Sequence, residues 1–568
     1  MRRRWILIES DEGLVELLRK ELGIPAPVAR VLANRGVKGV EEAQSFLCPT
    51  LRGLHPPEGL VDMDRAVERV LLALEREEPI WIYGDYDTDG LTSVALLTQF
   101  LESAGATPRP VLPHRERDGY GFHCSLIPEA GPKGGLVITV DCGISDAQEI
   151  LKARARGIDV VVTDHHEVGE LIPEACAVVN PKRPGNSYPF EDLAGVGVAF
   201  MLAWALAKKL KERCAWPKGK EPSLKAYLDL VALGTVADQA PLVGENRTLV
   251  MHGLKEMEKG NRPGIRALLG CSAADGKPLS VSTLTYQLAP RLNAPGRVDE
   301  PTVALELLLA KDARTSQELA SVLDGMNRRR QQIEERVLRE AEAEAWQAVR
   351  AGQDALVLAK EGWHPGVLGI VASRLVDRFG LPVVLISIED GVGKGSGRAP
   401  EGYHIMEGLR SCSNLLERFG GHRMAAGLRI DSKAVADFRR SLCAHARDVM
   451  GGLKAVRLLP IDDRLSPEEI THELVDRLVQ LEPHGVGNPE PIFQVDSLEI
   501  SVMRKVGQDH LKMLLRHGAM NFDAIGFGMA GVVPESARGP ARLACMPLRN
   551  EWQGRTSIQL KVKDLQLL

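Results

Sequence analysis

At 568 residues the chain has room for about three or four domains of roughly 100–200 residues each. An apolar share of 44% supports several buried cores, and 71 basic against 76 acidic side chains give a net charge of −5, which excludes a uniformly basic nucleic-acid coat but not a local binding patch. The nine cysteines are scattered, odd in number and without a CxxC pair, which fits free thiols in a reducing cytosol rather than a disulfide framework or a zinc ribbon.

The amino terminus, "MRRRWILIESDEG", carries an apolar run of four residues before its first acids, short of the roughly 7–15 of a secretory segment. Residues 1–60 read as a small helical lead-in closed by Pro49, Pro56 and Pro57. From residue 79 a plan repeats: short apolar strand, motif, amphipathic helix. A strand at 80–83 runs into "GDYDTDG" (84–90), with a helix expected over 93–103. Strands at 136–140, 158–163 and 177–179 run into "DCGIS", "DHHEVGE" and "NPKRP". Continuous apolar strands separated by helices predict a parallel sheet covered on both faces. Ligands of such sheets sit at the carboxyl ends of the strands, where all these motifs fall.

The apolar stretch 193–207 holds two glycines and falls short of the roughly 18 residues of a membrane span. It is expected to be a buried helix in a soluble, cytoplasmic protein with no membrane partner. A helix over 224–236 ends in "GTVADQAPL". A long helix over 316–350 mixes acids and bases and is expected to connect two domains, bent or interrupted at Gly325, with Arg328, Arg329 and Arg330 as surface charge. A second α/β segment over 354–450 has strands at 355–358 and 382–386, then glycine-rich "GVGKGSGR" (391–398) and "GGHRMAAG" (420–427). The glycines of the latter read equally well as a tight turn. Short alternating runs over 455–568 predict an all-β module, a barrel. The expected fold class is α/β: a parallel-sheet domain, a second α/β domain joined by a long helix, and a C-terminal β-barrel. The domains are expected at 1–60, 61–310, 311–352, 353–452 and 453–568.

The strand-end motifs supply Asp85, Asp87, Asp89, Asp141, Asp164, His165, His166 and Asp238. So many carboxylates repel one another unless cations sit among them. Mixed oxygen and imidazole donors suit Mn²⁺, with Mg²⁺ the alternative, and the lack of thiolates argues against structural zinc. Asp87 and Asp89, two apart, would share one face of an extended segment, with Asp85 the least central of the three. Taken singly, a DxD or a His-His pair is more often loop or surface; such motifs at successive element ends favour a site. Two ions about 3.5–4 Å apart suit phosphoryl chemistry. No Walker A or G-x-S-x-G sequence supports nucleotide-driven or serine-hydrolase chemistry.

In this order "GDYDTDG", "VDCG", "TDHHE" and "GTVAD" resemble the DHH phosphoesterase family. "GWHPGVLGIVASRL" (362–375), "GSGR" (395–398) and "GGHRMAAG" resemble its associated C-terminal domain. "LEPHGVGNPEPIF" (481–493) and "EWQGRTSIQLKVKD" (551–564) resemble the OB-like barrel of the family's single-strand-specific 5′→3′ DNA exonucleases. The resemblance implies a metal site in which Asp85 and Asp87 belong mainly to one ion, Asp89, His165 and Asp238 bind the other, and Asp141 bridges both. Asp164 would orient the histidines, and His166 would contact the scissile phosphate or transfer a proton. In "LPHRERDGYGF" (112–122), where His114 replaces the family's asparagine, Arg115 aligns with a phosphate-binding arginine and Arg117 is a nearby second candidate. Ser396 and Arg398 match residues that hold the 5′ phosphate; Arg291, Asn293 and Arg297 of "APRLNAPGR" and His422 are further substrate contacts.

The function so implied is a processive exonuclease of DNA repair and recombination, releasing 5′-mononucleotides with two Mn²⁺ or Mg²⁺ ions per site. Its partners would be single-stranded DNA with a 5′ phosphate, a single-strand-binding protein and a helicase, and it would act as a monomer. The barrel would extend the track for the strand, with Phe493, Phe522, Phe527 and Trp552 as stacking candidates, although burial is the default for the phenylalanines. Two alternatives remain: a DHH phosphodiesterase for short oligonucleotides, cyclic dinucleotides or pyrophosphate, which length and barrel oppose, and a non-catalytic scaffold, which the intact metal motifs oppose.

Overall fold

The computed structural model describes residues 3–568 apart from 116, 132–133, 215, 217–220, 273–277, 452–457, 508, 532, 535 and 553–554; the side chains of residues 298, 552 and 555, and with them the candidate Trp552, lie outside the described ones. The chain forms two compact units. One comprises Trp5–Asn293, Pro301–Ala320 and Leu459–Leu568; the other comprises Met1–Arg4, Ala294–Glu300 and Ser321–Leu458.

In the first unit, strands Ile80–Gly84, Gly135–Val140, Ile158–Thr163 and Ala177–Val179 are apolar and almost wholly buried. Burial on both faces is what an all-parallel sheet demands, and each buried Val, Ile or Leu contributes about 1.5–3 kcal/mol. A fifth parallel strand, Arg109–Val111, lies outside Ile80–Gly84. Its arginine and proline break the apolar pattern, so only an edge position tolerates it, and the sequence gives no strand signal there. Packed on this sheet are the helices Thr88–Ser103 and Gly195–Glu212; the latter is the predicted apolar helix, buried along most of its length.

Five strands, Phe493–Val506, His510–His517, Met520–Gly526, Gly539–Trp552 and Arg555–Leu567, close into a barrel when the first pairs with the fourth. Closure leaves no open edge among them. Phe493 and Phe522 fill its interior, whereas Phe527 is exposed. The lead-in helices Glu12–Leu22, Ala26–Asn34 and Val40–Leu47 share the barrel's core: Leu18, Val28 and Leu32 join Leu465, Leu478 and Leu498 in one cluster. A nearly buried Arg35–Asp462 pair at 2.9 Å ties the same faces.

The helix Ala313–Arg350, which belongs to the second unit from Ser321 on, runs unbroken through Gly325, whose Cα hydrogens face open space. Good helix formers on both sides absorb the roughly 1 kcal/mol cost of one glycine. Val337, Ala341 and Ala345 seat it against Leu356, Val367 and Leu385. Arg330 is not surface charge: it is 8% exposed, its guanidinium donating to Glu334 and Asn327 at 2.7 Å each. Glu334 stands one turn on, the spacing at which helical side chains meet. The sheet runs Arg418–Gly421, Ala425–Asp431, Val392–Arg398, Val383–Glu389, Leu356–Glu361, with only the last pair parallel. "GVGKGSGR" is thus a strand in which glycines alternate with side chains. Ile386, Leu428 and Ile405 occupy the space that Cβ atoms at Gly393, Gly395 and Gly397 would need.

Candidate metal centre

The motifs of Asp85, Asp141 and Asp164 leave the sheet at a strand's carboxyl end, whereas that of Asp238 ends a helix. Asp85 follows Ile80–Gly84, and Gly90 allows the next helix to cross it closely, since a Cβ there would lie 2.4 Å from the Asp85 carbonyl. That helix begins at Thr88, not near 93, so the aspartates do not share an extended segment. Asp87 is its N-cap, accepting from Asp89 N and Gly90 N at 3.0 and 3.1 Å, and Asp89 lies in its first turn. Aspartate is a favoured N-cap because its oxygens satisfy orphan amides. Asn293 braces the same turn, its Oδ1 accepting from Thr88 N at 2.7 Å and Thr88 Oγ1 at 2.8 Å.

Asp89 is 1% exposed and accepts from Gly195 N and Val196 N at 2.7 and 2.9 Å, at the start of the apolar helix. Asp141, 3% exposed, adopts a left-handed φ of 60°. That conformation costs a non-glycine residue about 1–2 kcal/mol and is characteristic of functional sites. Asp238 caps the helix Leu228–Ala237, with Gln239 at φ 62° turning the chain away.

These elements bring Asp85, Asp87 and Asp141 together in one group, Asp89, His165 and Asp238 in a second, and Asp141, His165 and His166 in a third; within each, potential ligand atoms lie within 4.8 Å of one another. Burial, then the charge of Asp87, pushes the Asp85 carboxyl up to about 8 and that of Asp238 up to about 7. Burial and the facing carboxylates hold Asp89 and Asp141 well above the usual range. Asp85 Oδ1 and His165 Nε2 are buried without a hydrogen bond, although Asp141 stands 3.1 Å from the latter. Oxygen and imidazole donors, crowded, desolvated and partly unsatisfied, fit hard or borderline divalent cations such as Mg²⁺ and Mn²⁺.

The two histidines differ. Burial and then the charge of His166 bring His165 down to about 3, leaving a neutral imidazole. Burial opposes the charge of His166 too, but the 2.7 Å hydrogen bond from its Nδ1 to Asp164 outweighs it and holds the ring up to about 9. Asp164 is itself fixed by Ile144 N, His165 N and His166 N.

Two residues not selected from the sequence belong here. The Tyr120 hydroxyl is 3.3 Å from His166 Nε2, and Asn180, at the end of Ala177–Val179, donates to the His166 carbonyl at 3.0 Å. Tyr120 lies in the loop singled out for its arginines, and Asn180 opens "NPKRP", so position in a motif is the signal that could have found them. Arg115 is exposed and stacks over the Tyr86 ring at 5.5 Å. Arg291 donates to the carbonyls of Gln287 and Cys271.

In the other unit, Ser396 and Arg398 share a strand face. Arg398 Nη1 donates to Ser396 Oγ at 3.0 Å, and both crowd Gly369, where a Cβ would lie 2.6 Å from Arg398 Nη2. Arg297 Nη1 donates to Gly366 O at 3.1 Å. His422 is exposed in the hairpin turn between Arg418–Gly421 and Ala425–Asp431, its amide donating to Ala425 O.

Comparison with known proteins agrees with this architecture. Residues 79–235 match the DHH family, N-terminal domain, residues 352–448 the DHHA1 domain, and residues 461–564 the RecJ OB domain. The single-stranded-DNA-specific exonuclease RecJ of Dickeya dadantii is 38% identical across 95% of this chain and 96% of its own length. That of Bacillus subtilis is 36% identical across 99% of this chain and 70% of its own. The crystal structure of RecJ in complex with Mn²⁺ from Thermus thermophilus superposes with a TM-score of 0.84 at 32% identity, covering 100% of this chain and 80% of that one. By this likeness along almost its whole length, the chain belongs to the RecJ family.

Proposed function

We propose that the chain is a single-strand-specific 5′→3′ exodeoxyribonuclease that releases 5′-mononucleotides by metal-dependent phosphodiester hydrolysis. The observation that carries this reading is the crowding of buried Asp85, Asp89 and Asp141 with half-buried Asp87, His165 and Asp238 in a RecJ-family chain. Asp85, Asp87 and Asp141 would hold one Mn²⁺ or Mg²⁺ and Asp89, His165 and Asp238 a second, with Asp141 between them. Such ions polarise the phosphoryl oxygens, activate the attacking water and offset charge on the leaving oxygen.

The chain's own groups do the rest. Asp164 fixes His166 Nδ1 as a donor, so the protonated ring offers Nε2 to a phosphoryl oxygen. Tyr120 borders that nitrogen, and Asn293 with Thr88 holds the Asp87 turn in place. Arg398, supported by Ser396, would receive the terminal 5′ phosphate, for which a guanidinium fork is suited. Arg115, Arg297 and His422 would contact the strand. Work as a cytoplasmic monomer on DNA supplied by a helicase and a single-strand-binding protein belongs to the same reading. Among the described residues no helix is long and apolar enough to cross a membrane.

The test is product analysis with Mn²⁺ on 5′-phosphorylated single strands, blunt duplex, dinucleotides and pyrophosphate. Mononucleotides should appear from the single strand, and cleavage of the duplex at an equal rate would sink the reading. In the same assay Arg398→Ala should raise KM for 5′-phosphate ends by about 10- to 100-fold, the cost of a lost charged hydrogen bond, and spare 5′-hydroxyl ends. An equal loss on both ends would remove Arg398 from that role.

A further inference from the structure

We propose that Tyr286 is a stacking platform for a base of the single strand, within a few nucleotides of the scissile bond. The proposal rests on the nuclease reading above and adds a contact that holds the strand. Residues 281–292 form a helix interrupted by a π turn, Leu284–Leu288. π turns are rare, and where they persist they commonly mark functional positions. This one is locked in place: Leu284 and Leu288 are buried, and Arg291 Nη1 donates to the Gln287 carbonyl at 2.6 Å.

The turn presents Tyr286 outward. It is 77% exposed, the most exposed aromatic ring among the described residues. The other exposed rings have partners: Tyr120 against His166, Trp346 against Phe379, Phe527 against His510. Tyr286 makes no ring contact among the described residues. The platform is also rigidly tied to the metal cluster, because the same helix leads to Asn293, which holds Thr88 beside Asp87. Seven residues at ~1.5 Å each put the ring about 10 Å along the helix from that brace. A sequence-independent single-strand site needs π faces, since every base can stack on one. In a chain with only 4% aromatic residues, an unpartnered ring on a braced turn beside the acid cluster meets that need.

The test uses the full chain with Mn²⁺ and compares wild type with Tyr286→Ala, Tyr286→Phe and Tyr286→Trp on a long 5′-phosphorylated oligonucleotide and on a dinucleotide. Tyr286→Ala should raise KM on the long substrate about tenfold, the loss falling on KM rather than kcat, with the dinucleotide unaffected and Phe or Trp restoring the wild-type value. In parallel, 2-aminopurine placed at successive positions near the 5′ end should be quenched on binding wild type and the Trp variant, at one position, but not the Ala variant. Unchanged KM and quenching in Tyr286→Ala would overturn the proposal. So would equal losses on both substrates without rescue by Phe, which would make the ring merely structural. The quenching reads stacking even without cleavage, so a wild type that binds and quenches but does not cut would instead overturn the nuclease reading.

Discussion

Asp141→Ala is expected to lower turnover by at least about 10³-fold, several kcal/mol of lost transition-state stabilisation, while single-strand binding stays within a few-fold. Asp141 stands with Asp85 and Asp87 in one group and with His165 in another, so its loss disables both halves of the cluster. Its removal also relieves repulsion, because its carboxyl is buried among like charges. A collapse of the fold is therefore not the expected cause. Its backbone does need care: at φ 60° an alanine is strained. Asp141→Asn, which tolerates that conformation, should be equally inactive and as stable as wild type. Single-turnover cleavage and filter binding read the two effects apart, and normal turnover in either variant would remove Asp141 from the centre.

The second large effect concerns Arg247. It is 1% exposed on the helix Gly244–Glu258, its ring-facing carbon 4.0 Å from the Phe46 ring centroid. Nε donates to Phe46 O at 2.9 Å, Nη1 to Leu481 O and Pro483 O, and Nη2 to Gln480 O and Glu482 O. One planar guanidinium thus joins the sheet domain, the lead-in helices and the entry to the barrel. Burial lowers its pKa only to about 10, so it stays charged at neutral pH. Arg247→Ala strips the guanidinium from the carbonyls of Phe46, Gln480 and Glu482, while Leu481 O and Pro483 O keep the Asn488 side-chain amide, and should cost about 3–5 kcal/mol, the scale for breaking a buried charged network. Lysine, a point donor without the fork, should recover little. Denaturant unfolding, with amide exchange at Gln480, Leu481 and Glu482, checks this; an unchanged midpoint would show that the carbonyls find other partners.

What could be read in advance followed from periodicity. Apolar runs at 80–83, 136–140 and 158–163 each ended in an acidic or His motif, so sheet and cluster were legible together. The barrel's alternating runs were equally plain. The conformation of Asp85, Asp87 and Asp89 was not, because aspartate is both a metal-type residue and a helix N-cap; an acid in the first turn, Asp89, with Leu91, Val94 and Ala95 at helical spacing, is the helix-start signal. "GVGKGSGR" hid a strand because glycine has low strand propensity, although its period of two was there to see. Arg330 looked like surface charge because its partners depend on tertiary burial, and Glu334 four residues on was the available hint. Arg247 and Tyr286 carry no local signal: the first is defined by distant carbonyls, the second by a π turn that sequence periodicity does not reveal.

The most direct measurement of the central claim is a count and location of bound Mn²⁺ on the full chain, by titration with electron paramagnetic resonance and by anomalous diffraction. The account predicts two ions per chain about 3.5–4 Å apart, one among Asp85, Asp87 and Asp141, the other among Asp89, His165 and Asp238. A single ion, or ions bound away from these side chains in a catalytically active protein, would contradict it.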